Sequence, residues 1–167
     1  MFKKIAAAVA LVAASSVAFA AEPPSFYAGV DASSTKVEGF DREGGYGAFI
    51  GYKFNESIAI EGGWHRLADT EFRAGALRAD VTVDQIDISV IGTLPLSNGF
   101  DVYGRLGYNR LDAEADVAGY TGKEHDNNAL YGLGLGYTFT PTVHGRLEVQ
   151  KPSSDATKIL AGVAFKF

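Results

Sequence analysis

Six ionisable residues attract notice because each lies on the polar side of an alternating segment: Asp31, Glu61, Asp87, Arg105, Arg146 and Glu148. Side chains of a strand point to its two faces in turn. The six therefore look away from apolar neighbours such as Val30, Ile60, Ile88, Leu106 and Leu147. A charge taken out of water needs an opposite charge or several hydrogen bonds beside it. The chemistry this set offers is mutual neutralisation inside an enclosed space, and a charge-lined ion path is the alternative use of the same groups.

Other reactive groups are sparse. The run His125-Asp126-Asn127-Asn128-Ala129 sets a histidine among amides with no hydroxyl, and an amide cannot replace a hydroxyl that attacks an ester. His65 and His144 have no serine next to them in sequence. Three scattered histidines and no cysteine give no metal-ligand spacing. The acidic Asp112, Glu114, Asp116, Glu124 and Asp126 read as a solvated segment rather than a calcium cradle. No catalytic residue, cofactor or metal is expected.

The elements that must carry the six charges recur with period two. Eight such segments are predicted, at 26–34, 46–54, 58–65, 79–94, 100–109, 131–139, 143–150 and 158–167. The fourth changes phase, from Val81 and Val83 to Ile86 and Ile88, which predicts a bulge near Asp84-Gln85. Three connections are short: Asn55-Glu56-Ser57, Ser97-Asn98-Gly99 and Thr140-Pro141-Thr142. Asn-Gly is a strong hairpin signal, because both residues tolerate positive φ. Four connections are long and polar, at 35–45, 68–78, 112–128 and 151–157, and are expected to be loops.

Lys3 and Lys4, the apolar run 5–14 and Ala18-Phe19-Ala20 form an export signal with cleavage expected after Ala20, leaving 21–167 as one domain. No later segment is apolar enough for a membrane helix, so a membrane-spanning chain must close its strands into a barrel. A formal charge of −5, more negative once the two lysines leave, argues against nucleic-acid binding. The polar face carries nine glycines (Gly29, Gly47, Gly51, Gly63, Gly107, Gly132, Gly134, Gly136, Gly162), which suits a narrow interior better than the exterior of a soluble barrel. Aromatic residues on the apolar face fall near strand ends, at Phe26, Phe54, Trp64, Phe100, Phe139 and Phe167, as an interfacial girdle requires. The fold class predicted is all-β, an eight-stranded antiparallel up-and-down transmembrane barrel. Its third and seventh strands lie opposite each other, so Glu61 and Arg146 are expected to meet over the lumen.

The segments Gly132-Leu133-Gly134-Leu135-Gly136-Tyr137-Thr138-Phe139-Thr140-Pro141-Thr142-Val143-His144-Gly145-Arg146-Leu147-Glu148 and Phe100-Asp101-Val102-Tyr103-Gly104-Arg105-Leu106-Gly107 resemble the sixth-to-seventh and fifth strands of OmpA-like and opacity-type small outer-membrane barrels. The resemblance implies residence in the bacterial outer membrane, among lipid and lipopolysaccharide. It also implies insertion by the barrel-assembly machinery through the last strand ending in Phe167, and contact with surface ligands through the outer loops. In OmpA-like barrels a charged plug is proposed to gate a small pore; a second Lys/Glu pair of that plug aligns here with Ile91 and Gly136. The run at His125 is similar to the His-x-Ser-Asn stretch of lipid A deacylase barrels, with Asn127 in place of the nucleophilic serine. The peptidoglycan-binding domain of longer family members is expected to have no counterpart. The function expected is an envelope structural or surface-interaction barrel. A low-conductance porin-like channel is the alternative and a lipid-modifying enzyme a minor one.

Overall fold

The computed structural model describes residues 24–37, 39, 42–74, 77–117 and 120–167; the proposed export signal lies outside them. Eight strands follow in chain order: β1 Ser25–Val37, β2 Arg42–Lys53, β3 Ile58–Ala74, β4 Leu77–Pro95, β5 Phe100–Val117, β6 Tyr120–Thr140, β7 Val143–Lys151 and β8 Ala156–Lys166. Each pairs antiparallel with its sequence neighbours, and β1 pairs with β8 to close the barrel. Closure removes the free edges that a membrane-spanning sheet could not leave unpaired. Phe167 donates its backbone N–H to the Phe26 carbonyl at 3.0 Å, so the last residue is tied to the first strand.

The three tight connections have the chemistry their residues dictate. Asn55 accepts backbone N–H bonds from Ser57 and Ile58, each 2.9 Å, on its side-chain oxygen. Asn98 and Gly99, in a one-turn 3-10 helix, take φ of 61° and 81°, the left-handed region that Asn and Gly enter most readily. Thr140 Oγ1 accepts the Val143 N–H at 3.1 Å.

The other end differs from the sequence reading. The expected loops 68–78 and 112–128 are largely strand: β3 and β4 pair up to Ala74↔Leu77, and β5 and β6 up to Val117↔Tyr120. Above the membrane the outside of the barrel is water, so the meaning of the alternation inverts. On β5 the outward face changes from Leu106 and Tyr108 to Arg110, Asp112 and Glu114, while the inward face changes from Arg105 and Asn109 to Leu111 and Ala113. The strand itself continues without interruption. The same inversion accounts for the phase change in β4. Its register with β5 is unbroken from Ala79 to Pro95, and the predicted irregularity at Asp84-Gln85 sits instead on β3, where Leu67 is an extra residue between Arg66 and Ala68. A second shift, between Thr138 and Thr140, makes Phe139 the extra residue of β6.

Within the membrane-spanning part, the two faces separate sharply. Ile50, Ile88, Leu106, Leu133, Leu135 and Leu147 are exposed on the outside, where lipid would cover them. Inside, large side chains are set beside glycines on the neighbouring strand. Tyr27 faces Gly51, Phe49 faces Gly29, His65 faces Gly47 and Tyr103 faces Gly134. A Cβ added at any of these four glycines would collide with the ring opposite. The glycine-rich polar face is thus a set of seats for aromatic rings in a lumen that side chains just fill.

Candidate functional site

Two regions carry chemistry: the lumen and the hairpins beyond the outer belt. In the lumen, Asp31, Glu61, Asp87, Arg105, Arg146 and Glu148 are all buried and project inward. Glu61 on β3 is the hub. It accepts two bonds from Arg146 Nη1, at 3.0 and 2.8 Å, one from Arg105 Nη2 at 2.6 Å and one from the Tyr27 hydroxyl at 2.9 Å. Arg105 also donates to Glu148 through Nε at 2.7 Å and Nη2 at 3.2 Å, and Tyr103 donates its hydroxyl to Glu148 at 3.0 Å. Arg146 also donates to Asp31 at 3.5 Å and stacks on Phe49, 3.5 Å from the ring centroid.

Several members of this network escaped the sequence reading. His65, only 2 % exposed, lies between two carboxylates, with Nδ1 3.2 Å from Asp31 and Nε2 3.3 Å from Asp87. Lys158, fully buried, reaches Gln85 at 3.4 Å, and Gln150 donates to Glu148 at 3.0 Å. Tyr27 and Tyr103 supply hydroxyls. The signal for all of them is parity: each lies on the polar face of its strand, and Lys158 follows directly on the expected loop 151–157. The positions aligned with the second plug pair are apolar or small here. Ile91 packs with Ala59 and Tyr103, and Gly136 lies beneath the Asp101–His144 pair.

Above Glu61 the lumen is packed. Leu130, Leu160, Gln85, Gln150, Asn109 and Pro152 are among the largest fully buried side chains, and Asn109 hooks the last outer turn through a 2.9 Å bond to the Pro152 carbonyl. Below Glu61 it opens into a pocket of about 380 Å³ reached from the tight-turn end.

Outside, the girdle residues split into two belts. Phe26, Phe54, Phe100, Phe139 and Phe167 ring the tight-turn end; Tyr52 links Phe26 to Phe54 and Tyr137 links Phe100 to Phe139, at centroid distances of 4.7 to 5.0 Å. Trp64 belongs to the upper belt with Tyr46, Tyr108 and Tyr131. Just above it lie charged pairs: Arg66 is bidentate to Asp84 at 2.9 and 3.1 Å and lies 5.7 Å from the Trp64 ring centroid, while Asp112 joins Arg110 at 3.0 Å and His125 at 2.6 Å. The hydrogen bond from Arg110, helped by His125, holds the Asp112 carboxyl below the usual carboxylate range. His125 is thus engaged by an aspartate, and the position of the absent serine is Asn127, paired with Arg110.

A family model described as "Outer membrane protein beta-barrel domain" matches residues 5–167. "Outer membrane protein A" of Salmonella typhi is 29% identical over 162 residues, covering 87% of this chain and 46% of that protein. The chain spans between about a third and a half of the length of the curated relatives it matches. Among solved structures, Neisserial surface protein A superposes with a TM-score of 0.63 at 17% identity, covering 89% of this chain and 100% of that one. Ail, the attachment invasion locus protein of Yersinia pestis, solved with the heparin analogue sucrose octasulfate, gives 0.61 at 17% identity over 86% and 97% of the two chains. These likenesses carry the fold.

Proposed function

From the premise that the chain belongs to the outer membrane protein β-barrel domain family, we propose that this outer-membrane barrel serves surface interaction, and that its β3–β4 and β5–β6 hairpins make the contact. One observation carries the reading. The strands β3 to β6 stay paired well above the upper aromatic belt, while β6 pairs with β7 only from Tyr131↔Lys151 downward, so residues 120–130 have a partner strand on one side alone. Such an edge offers N–H and C=O groups to an extended segment of another molecule. Glu124 and Asp126, exposed on this edge strand, favour cationic partners or bridging divalent ions. Ail was solved with a sulfated sugar; the acidic edge here suits the opposite sign.

Around this role we place the remaining parts. The two belts hold the barrel among outer-membrane lipid, and Arg66 and Arg110 stand at the height of lipopolysaccharide phosphates. The strand ending in Phe167 is the segment offered to the barrel-assembly machinery, and residues 1–20 are a leader cleaved after Ala20. No catalytic step is assigned: a deacylation of the kind the His125 run resembles would need a hydroxyl nucleophile where Asn127 stands. The lumen network serves to neutralise the charges of a filled interior.

The test compares cells displaying the full chain with cells displaying a variant whose two tall hairpins are cut back to the belt. Binding of polylysine-coated beads above the level that lipopolysaccharide phosphates give to cells without the barrel is expected only with the full hairpins. Equal binding by the trimmed barrel would overturn the surface role. The low-conductance pore is the weaker reading, because the lumen above Glu61 is packed. Liposomes carrying the barrel should retain small sugars, and rapid sugar-driven swelling would reverse the ranking.

A further inference from the structure

Above the upper belt, β3 to β6 form a four-stranded extension whose two edges differ. On the β3 side, pairing with β2 ends at Tyr46↔Arg66, and the next residue, Leu67, is the extra residue of a bulge. A bulge twists an edge and breaks its ladder, one of the ways in which proteins blunt an exposed strand. The β6 edge is regular. Residues 120–130 keep an unbroken register with β5, contain no proline, and have no partner strand on their other side among the described residues, because pairing with β7 starts at Tyr131↔Lys151.

Parity sorts the side chains of this edge. Leu130, fully buried, marks the face that continues the lumen, and Asn128, Asp126 and Glu124 follow it at every second position. Directly opposite the two acids on β5 stand Leu111 and Ala113, which offer them no charge. Asp126 accepts a 2.8 Å bond from Asn128, and both carboxylates are exposed. The other face carries Asn127 and His125, and His125 is committed to Asp112 at 2.6 Å.

Resting on the surface role given to these hairpins, we infer that β6 takes an added strand from a partner polypeptide, an extended segment with a lysine or arginine at every second position. Its basic side chains lie on the lumen-side face, beside Glu124 and Asp126. In strand addition the backbone bonds carry the affinity, and the alternate side chains decide which sequence fits. Unlike charges set opposite each other across two strands stabilise the pair, and like charges oppose it. The same edge therefore rejects a second copy of this chain, since β6 against β6 would set carboxylates beside carboxylates.

Fluorescence anisotropy of a labelled nine-residue peptide alternating threonine and lysine, titrated with the purified barrel in zwitterionic micelles, tests this. The peptide should bind saturably, and an isomer with its four lysines in one block roughly tenfold more weakly. In an added strand, successive residues turn their backbone N–H groups alternately toward the neighbouring strand and away from it. N-methylation at the lysines in one peptide and at the inner threonines in another should therefore weaken one of them roughly tenfold or more, several hydrogen bonds being lost together, and spare the other. Glu124→Lys combined with Asp126→Lys, at two exposed positions, should turn the preference to a peptide alternating threonine and glutamate, with circular dichroism checking the fold. If the two methylated peptides bind alike while polylysine beads still need the full hairpins, the surface role stands and strand addition is overturned. Beads that bind the trimmed barrel equally well would remove both. Equal binding of the alternating and block isomers, no saturable binding, or an unchanged preference in the double variant would each overturn the added strand.

Discussion

Arg146 on β7 reaches across the whole lumen to hold both carboxylate oxygens of Glu61 on β3, at 3.0 and 2.8 Å. The pair is not isolated, since Arg105 and Tyr27 hold the same carboxylate from other directions. That sets an order of damage. Glu61→Ala leaves two buried arginines facing a gap and should cost about 3 to 5 kcal/mol, the usual penalty for stranding a buried charge. Arg146→Ala leaves Glu61 with Arg105 and Tyr27, so its cost should be smaller. The double variant should recover at least about 1 kcal/mol relative to the sum. Urea unfolding in lipid vesicles measures all three, and additive losses would show that the two groups do not depend on each other.

The ring seats make a second prediction. Gly134→Ala drives a methyl into the Tyr103 ring, and overpacking of this kind costs roughly 1 to 3 kcal/mol. Tyr103→Leu in the same chain should relieve part of that loss, though it removes the hydroxyl bonded to Glu148. If Tyr103→Leu gives no relief, the steric reading of Gly134 is wrong.

Depth in the membrane gives a third. Leu135 and Asn127 are both exposed on the outward face of β6, one between the belts and the other above the upper belt. Leu135→Arg should cost about 2 to 4 kcal/mol and Asn127→Arg about 0 to 1. Equal folding yields in vesicles would place the bilayer at a different height on the barrel.

These relationships show how far the sequence could be read. Strand number and the inward direction of the six charges follow from alternation, because lipid outside and a narrow lumen inside impose opposite demands on successive residues; the tight turns follow from residues such as Asn98-Gly99, and closure from the need to pair every strand edge in a membrane. Alternation misled where the outer medium changes. Asp112, Glu114 and Asp116 looked like loop residues since the charge–apolar pattern was judged against a lipid exterior throughout, while a water exterior makes the same pattern a strand with its apolar side turned in. His65 and Lys158 were overlooked for another reason. Parity tells which way a side chain points and nothing of what it meets, and their partners Asp31, Asp87 and Gln85 lie 34, 22 and 73 residues away along the chain.

The strand character of the outer segments yields the last prediction. A flexible 112–128 loop would be open to protease along its length. A paired hairpin protects its backbone, because cleavage needs a locally opened stretch of chain and ladder hydrogen bonds oppose that opening. With β5 and β6 in register from Phe100↔Tyr137 to Val117↔Tyr120, cutting on intact cells should be slow and limited to the far end of the hairpin, where pairing opens most readily, and should spare the bonds around Asp112 and His125. Mass spectrometry of the released fragments identifies the site. Cuts spread evenly over 112–128 would mean that the hairpin is not paired in the membrane, and the edge strand proposed to meet surface partners would go with it. Cleavage only after the outer membrane is opened would mean that these hairpins face the periplasm.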